Sequence, residues 1–131
     1  MNEVNTSKIC SDILTEFGFP NESLISLVDK WKFFVGECED GYDWDYSEYR
    51  NELKVRTLIE HILNDKRISA SNSLHDLILE VQKNDALFKC ILQKENHIEG
   101  ENWWDRGVLE FAGDEYCLYM KNAHGIYVKK I

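Results

Sequence analysis

Leu24, Leu27, Val28, Trp31, Phe34 and Val35 recur at i, i+3, i+4, i+7, i+10 and i+11. No strand of period two can place these six on one side, whereas a helix of 3.6 residues per turn aligns them in one stripe. A helix with so wide an apolar stripe must be covered by other elements, so the rest of the chain has to supply them. Asn21 is the expected cap of this helix, and Gly36 sits where a left-handed C-terminal cap is wanted. Ahead of it, Thr6 or Ser7 caps a helix that places Ile9, Ile13, Leu14 and Phe17 on one face. Gly18-Phe19-Pro20 is its stop.

Further helices follow from the same reasoning. One runs from Asp45 or Ser47 to about Asn64 and buries Val55, Leu58, Ile59 and Ile62. Asp65 to Asn72 reads as an exposed, Lys66- and Arg67-bearing connection. Ser73 is the expected cap of a helix with Leu74, Leu77, Ile78 and Val81 inward. Asn84-Asp85 is read as a break, after which Leu87, Phe88, Ile91 and Leu92 form a short helix. From Glu95 the pattern changes to a polar, acidic stretch containing Trp103-Trp104. Gly107 to Phe111 is read as extended, and Asp114 caps a helix through Ala123 with Tyr116, Cys117 and Met120 inward. Gly125 terminates it, and Ile126-Tyr127-Val128 is β-prone without an evident pairing partner. The expected fold is mainly α: a single-domain helical bundle over residues 1–131, of about five to six helices, with a short irregular or β C-terminal segment.

At 131 residues, one domain can bury about 65–70% of the surface its unfolded chain exposes. An apolar content of 44%, with 12% aromatic residues, supports a real core. The net charge of −9 repels nucleic acid and anionic membrane, and favours a cationic partner or simply solubility. No apolar run approaches the roughly 18 residues of a membrane span. Met1 to Phe17 lacks the apolar core of a secretory signal. Cys10, Cys38, Cys90 and Cys117 are far apart and never form C-x-x-C. A cytoplasmic protein with reduced, mostly packed thiols is expected.

The segment most informative about function lies between Glu37 and Tyr49. It holds Glu37, Glu39, Asp40, Asp43, Asp45 and Glu48, no Lys or Arg, and the aromatic residues Tyr42, Trp44, Tyr46 and Tyr49. Carboxylates steer and pair with a basic partner, and aromatic rings supply buried contact area. The bland alternative is that Tyr42, Trp44 and Tyr49 pin a loop to the core while the acids face water. Six acids alternating with four rings leave some aromatic surface outward, so partner binding is the expectation. The residues that would carry it are Glu39, Asp40, Tyr42, Asp43, Trp44, Asp45, Tyr46, Glu48 and Tyr49. A second acidic patch, Glu95 to Asp105, adds Glu101 and Trp103, while Trp104 is expected to cover the edge of the core. On the third helix Glu52–Arg56 is an i, i+4 ion pair, and Glu48–Glu52 is a like-charged pair that costs a little.

Catalytic and metal signatures are weak by comparison. Asp43-x-Asp45-x-Ser47 resembles the opening of a calcium loop, but Glu48 occupies the position that needs Gly and Lys54 the position that needs Glu. His97-x-Glu99 lacks the Pro-Cys-x-x-Cys half of a zinc deaminase. His61, His75 and His124 are isolated. Surrounding carboxylates raise the Cys38 thiol and blunt it as a nucleophile. No catalytic residue, metal site or cofactor is therefore expected, and the chain is read as a binding protein that is not an enzyme.

Two stretches, the Glu37–Tyr49 segment and Trp103-Trp104…Gly113-Asp114-Glu115-Tyr116…His124-Gly125-Ile126, give the chain a resemblance to the small acidic immunity proteins. These protect bacteria from polymorphic toxins, including those of contact-dependent growth inhibition. Because such proteins differ widely in fold, the resemblance carries no residue roles with it. It implies inhibition of one cognate basic toxin, often a nuclease, by covering its active or substrate-binding surface. A phage-type nucleic-acid mimic, such as an anti-CRISPR or anti-restriction inhibitor, shares the acidic logic. Readings of other classes are a small enzyme using Glu or Asp with His97, and an adaptor whose acids merely keep it soluble.

Overall fold

The computed structural model describes residues 3–69 and 74–131. Its helices are α1 (Glu3–Glu16), α2 (Leu24–Gly41), α3 (Tyr46–Asn64), α4 (Lys66–Ser69), α5 (His75–Cys90), α6 (Trp103–Arg106) and α7 (Asp114–His124). Four short strands accompany them: β1 (Leu92–His97), β2 (Gly107–Leu109), β3 (Phe111–Ala112) and β4 (Lys129–Lys130). The architecture is the mainly helical one the periodicities require, with two small sheets in the C-terminal third. No described helix is long and apolar enough to cross a membrane.

α2 lies at the centre, packed between α3 and α5. Its whole predicted stripe is buried. Ser23 rather than Asn21 caps it, because Ser23 and Ser26 exchange reciprocal side-chain to backbone hydrogen bonds. The helix does not stop at Gly36. Cys38 extends the stripe by one more inward turn and is fully buried, so propagation continues to Gly41. Gly41 has φ +102°, and a Cβ there would lie 2.7 Å from the Ile131 side chain. The left-handed backbone there favours glycine, and the Ile131 side chain packs against the space a Cβ would take.

α3 begins where expected. Asp45 accepts a hydrogen bond from the Glu48 backbone N–H at 2.8 Å, the N-cap arrangement that favours Asp. Ile59 and Ile62 are buried, as are Tyr49, Leu53 and Arg56, while Val55 and Leu58 pack at the edge of the core. The 65–72 connection is not wholly exposed. It contains α4, whose Ile68 is buried, and Arg67 joins it to Asp65 and Glu16. The expected Ser73 cap lies outside the described residues.

α5 runs unbroken through Asn84-Asp85, which corrects the reading of a break. Both polar residues are satisfied within the packed structure. The Asn84 amide donates to the Glu80 carbonyl at 2.9 Å, and the Asp85 carboxylate accepts from Arg56 and Trp31. Helix termination comes instead at Ile91, and Leu92 opens β1 rather than closing a helix. β1 pairs with β2 in antiparallel fashion, Leu92 opposite Leu109 and His97 opposite Gly107, with an irregularity between. The C-terminal strand is displaced to β4, and its partner is β3, parallel, with Phe111 opposite Lys129. α7 ends at Gly125 in the left-handed conformation, φ +64°, as read.

An aromatic cluster fills the junction of these elements. Phe34 contacts Tyr42, Tyr49 and Phe88 with ring centroids 5.5–5.8 Å apart, and Tyr49 meets Tyr116 edge-on at 4.8 Å. Each such pair adds about 0.5–1.5 kcal/mol beyond its buried area. The acidic-aromatic segment is thereby anchored from beneath.

Candidate protein-docking surface

The Glu37–Tyr49 segment is not one loop. Glu37 to Gly41 forms the last turn of α2, residues 42–45 are the connection, and Tyr46 to Tyr49 opens α3. Two helix ends therefore hold the acids in fixed positions. Glu39, Asp40, Asp43, Asp45 and Glu48 are exposed, and none of the five is ion-paired among the described residues.

The four aromatic residues separate into distinct roles. Tyr42 and Tyr49 are fully buried and offer no ring to a partner, which corrects their placement among the contact residues. The reason is the aromatic cluster: both rings pack on Phe34, and the surface they cover is worth more inside than out. The Tyr42 hydroxyl donates to Glu52 at 2.5 Å. Tyr46 is half-buried and stacks on Tyr119 of α7, centroids 3.8 Å apart and planes within 6°. Trp44 stands out, 58% exposed, with its indole N–H donating to Glu37 at 3.1 Å. That single bond orients the ring without covering it.

Beneath the rim is a crowded carboxyl pair. Glu52 lies in the field of the Glu37 and Glu48 carboxylates. Burial pushes the Glu52 carboxyl up from its ordinary 4.5; the Tyr42 hydroxyl pulls it back, and the Glu37 and Glu48 charges push it up again. Burial, with the Glu52, Glu37 and Glu39 charges secondary to it, also raises the Cys38 thiol far above its ordinary range, so the main cause is the core rather than the surrounding carboxylates. The Glu52–Arg56 pair read from the i, i+4 spacing is replaced: Glu52 takes Tyr42, while Arg56 takes Asp85 and Glu60.

This crowding has a measurable sign. A carboxyl raised in the folded state stabilises below its unfolded pKa, and that contribution is lost as pH climbs through the folded value. Glu52 therefore opposes folding at pH 7. Glu52→Gln should raise the urea midpoint at pH 7, with the gain shrinking as pH falls towards 4.5. A midpoint lowered at pH 7 would show that the charge on Glu52 is needed rather than tolerated.

Two shallow grooves flank the rim. The first, about 460 Å³, lies between α2 and α3 and is lined by Asp29, Lys30, Phe33, Phe34, Glu52 and Val55. The second, about 670 Å³, lies between the start of α3 and α7, with Asp45 and Glu115 beside Tyr46, Leu118 and Tyr119. α7 is seated there because the Gly113 N–H donates to the Tyr42 carbonyl at 2.7 Å. A Cβ on Gly113 would come within 3.0 Å of the Asp43 Cα, so only glycine permits this approach. The sequence reading did not single out Phe33, Leu118 or Tyr119. The available signal was that each is a large apolar residue lying outside the inward set of its own helix.

The second acidic patch has a mixed character. Trp104 is buried, as expected, donating to the Thr57 hydroxyl at 3.0 Å. Trp103 is half-buried and carries the Lys89 ammonium 4.4 Å above its ring. Asp105 faces Arg50 at 3.4 Å. Glu95, Glu99 and Glu101 remain exposed, but they share this region with cations, unlike the α2–α3 rim. His97 and His124 line a separate wide groove beside Glu99 and Arg106. Among the described residues, no group of three or more His, Cys, Asp or Glu converges as metal ligands do. No protein-family model, curated protein or solved structure matches this chain.

Proposed function

We propose that the chain is an acidic protein-binding inhibitor, an immunity protein acting in the cytoplasm on one cognate basic toxin, with a nuclease as the favoured class of target. The observation that carries this reading is the exposed Trp44, set among the carboxylates of Asp43, Asp45 and Glu48 where the 42–45 connection enters α3, none of them ion-paired among the described residues. In this role the rim of Glu39, Asp40, Asp43, Asp45 and Glu48 steers a cationic surface and pairs with Lys or Arg that otherwise contact phosphate. Trp44 supplies the central buried contact. Tyr46 contributes through the groove it forms with Tyr119, and Glu101 and Trp103 lie at the periphery. Inhibition is by coverage, without catalysis or a cofactor.

The test is to identify the target by salt-dependent capture from the host, purify it, and titrate its activity with the chain. Stoichiometric inhibition is expected. Association should approach about 10⁸ M⁻¹s⁻¹ at low salt and slow steeply as salt is added. The double variant Asp43→Asn, Asp45→Asn should associate more slowly and flatten that salt dependence, because Asn at residue 45 keeps the helix cap and removes only charge. An unchanged salt slope would remove the rim from the interface. A nucleic-acid mimic of phage type would use the same carboxylates, and the same exposed, unpaired run favours it as the second reading. A neighbouring toxin gene selects the immunity role, and phage genes select the mimic.

A further inference from the structure

α2 carries an outward row that its buried stripe does not use. Ile25, Asp29, Phe33 and Glu37 succeed one another at i+4, so that apolar and acidic side chains alternate turn by turn. Ile25 is 61% and Phe33 68% exposed. Isolated exposed apolar residues are ordinary, but an i±4 row is the ridge by which one helix packs into the groove of another. From Ile25 to Glu37 the ridge extends about 18 Å, at 1.5 Å per residue. Beside it, α3 places Glu52 and Val55 in the same groove as Asp29 and Phe33.

Charge decides what fits. The groove lining holds two carboxylates, Asp29 and Glu52, and one cation, Lys30, which is already paired with Glu22. A second copy of this chain, at net charge −9, would bring more acid against acid. Continuity also matters, because Glu37 accepts from the Trp44 indole and so joins the ridge to the rim described above. We infer that the α2–α3 groove takes a basic amphipathic helix of the partner protein. Its apolar residues would rest on Phe33 and Val55, and its Arg or Lys residues on Asp29 and Glu52, with Glu37 one turn beyond Phe33 on α2. This is the helix-in-groove mode of recognition, and the partner's basic character rests on the inhibitor reading.

The probe is a pair of stapled helical peptides about 16 residues long. One has Leu and Arg alternating at every fourth residue, and the other has the same composition scrambled. Each is titrated into the full ¹⁵N-labelled chain. The patterned peptide should shift the amide signals of residues 25–37, Glu52 and Val55, and bind about tenfold more tightly than the scrambled one. Phe33→Ser should remove about that factor, and since Phe33 is exposed its circular dichroism should match the parent. Equal binding of the two peptides, no binding, or shifts confined to other elements would overturn the groove assignment. The purified target separates the two claims. If it is inhibited equally by the parent and by Phe33→Ser, the groove falls and the inhibitor reading stands. If the patterned peptide maps to the groove but no basic target exists, the groove stands and the inhibitor reading falls.

Discussion

Asp85→Ala should cost the fold about 3–5 kcal/mol, read as a lower urea midpoint at unchanged m. Asp85 receives the Arg56 guanidinium at two points, Nε at 2.9 Å and Nη2 at 2.8 Å, and the Trp31 indole N–H at 3.0 Å. Arg56 is only 5% exposed and lies beneath Trp104, 4.4 Å from the ring centroid. Removing the carboxylate leaves a buried cation with Glu60 alone, and an indole donor without its acceptor. A domain of this size has about 5–15 kcal/mol in all, so the loss is a large share. One network ties α2, α3, α5 and α6, and its rupture should loosen all four. The double variant Arg56→Met, Asp85→Leu is the control, because exchanging a buried pair for apolar side chains of similar size is often close to neutral. If Asp85→Ala shifts the midpoint by less than about 0.5 kcal/mol equivalent, the helices are held by apolar packing alone.

The second large effect concerns the partner. Trp44→Ala should accelerate dissociation of the purified target about 30-fold, the equivalent of the roughly 2 kcal/mol that a central aromatic anchor loses on truncation. Association should change little, since no charge is removed. The fold should be indifferent, because Trp44 is mostly exposed and makes one side-chain hydrogen bond. A target that leaves the variant as slowly as the parent would place the interface elsewhere. The contrast with the Asp43, Asp45 double variant is the diagnostic: one acts on the off-rate and the other on the on-rate and its salt dependence.

Legibility differed sharply between periodic and non-periodic signals. The α2 stripe, the Asp45 cap and the Gly125 stop each rest on interactions within a few residues, and each is where the sequence places it. Gly36 and Asn84-Asp85 misled for one reason. Local breaker chemistry costs about 1 kcal/mol per residue, and burial of Cys38 or satisfaction of Asp85 by Arg56 and Trp31 exceeds it. The candidate site was half legible: its acids are exposed as their density requires, but nothing local separates Tyr42 and Tyr49, which pin the segment to the core, from Trp44, which does not.

By itself, the sequence determined a helical chain with two acidic, aromatic-bearing stretches, because helical period and charge density are properties of neighbouring residues. Only the tertiary structure decided which aromatic residue faces solvent, which acid takes Arg56, and that Phe33 stands beside Glu52. Those pairings join residues from different helices, and competition for a single core space selects among partners that are locally equivalent.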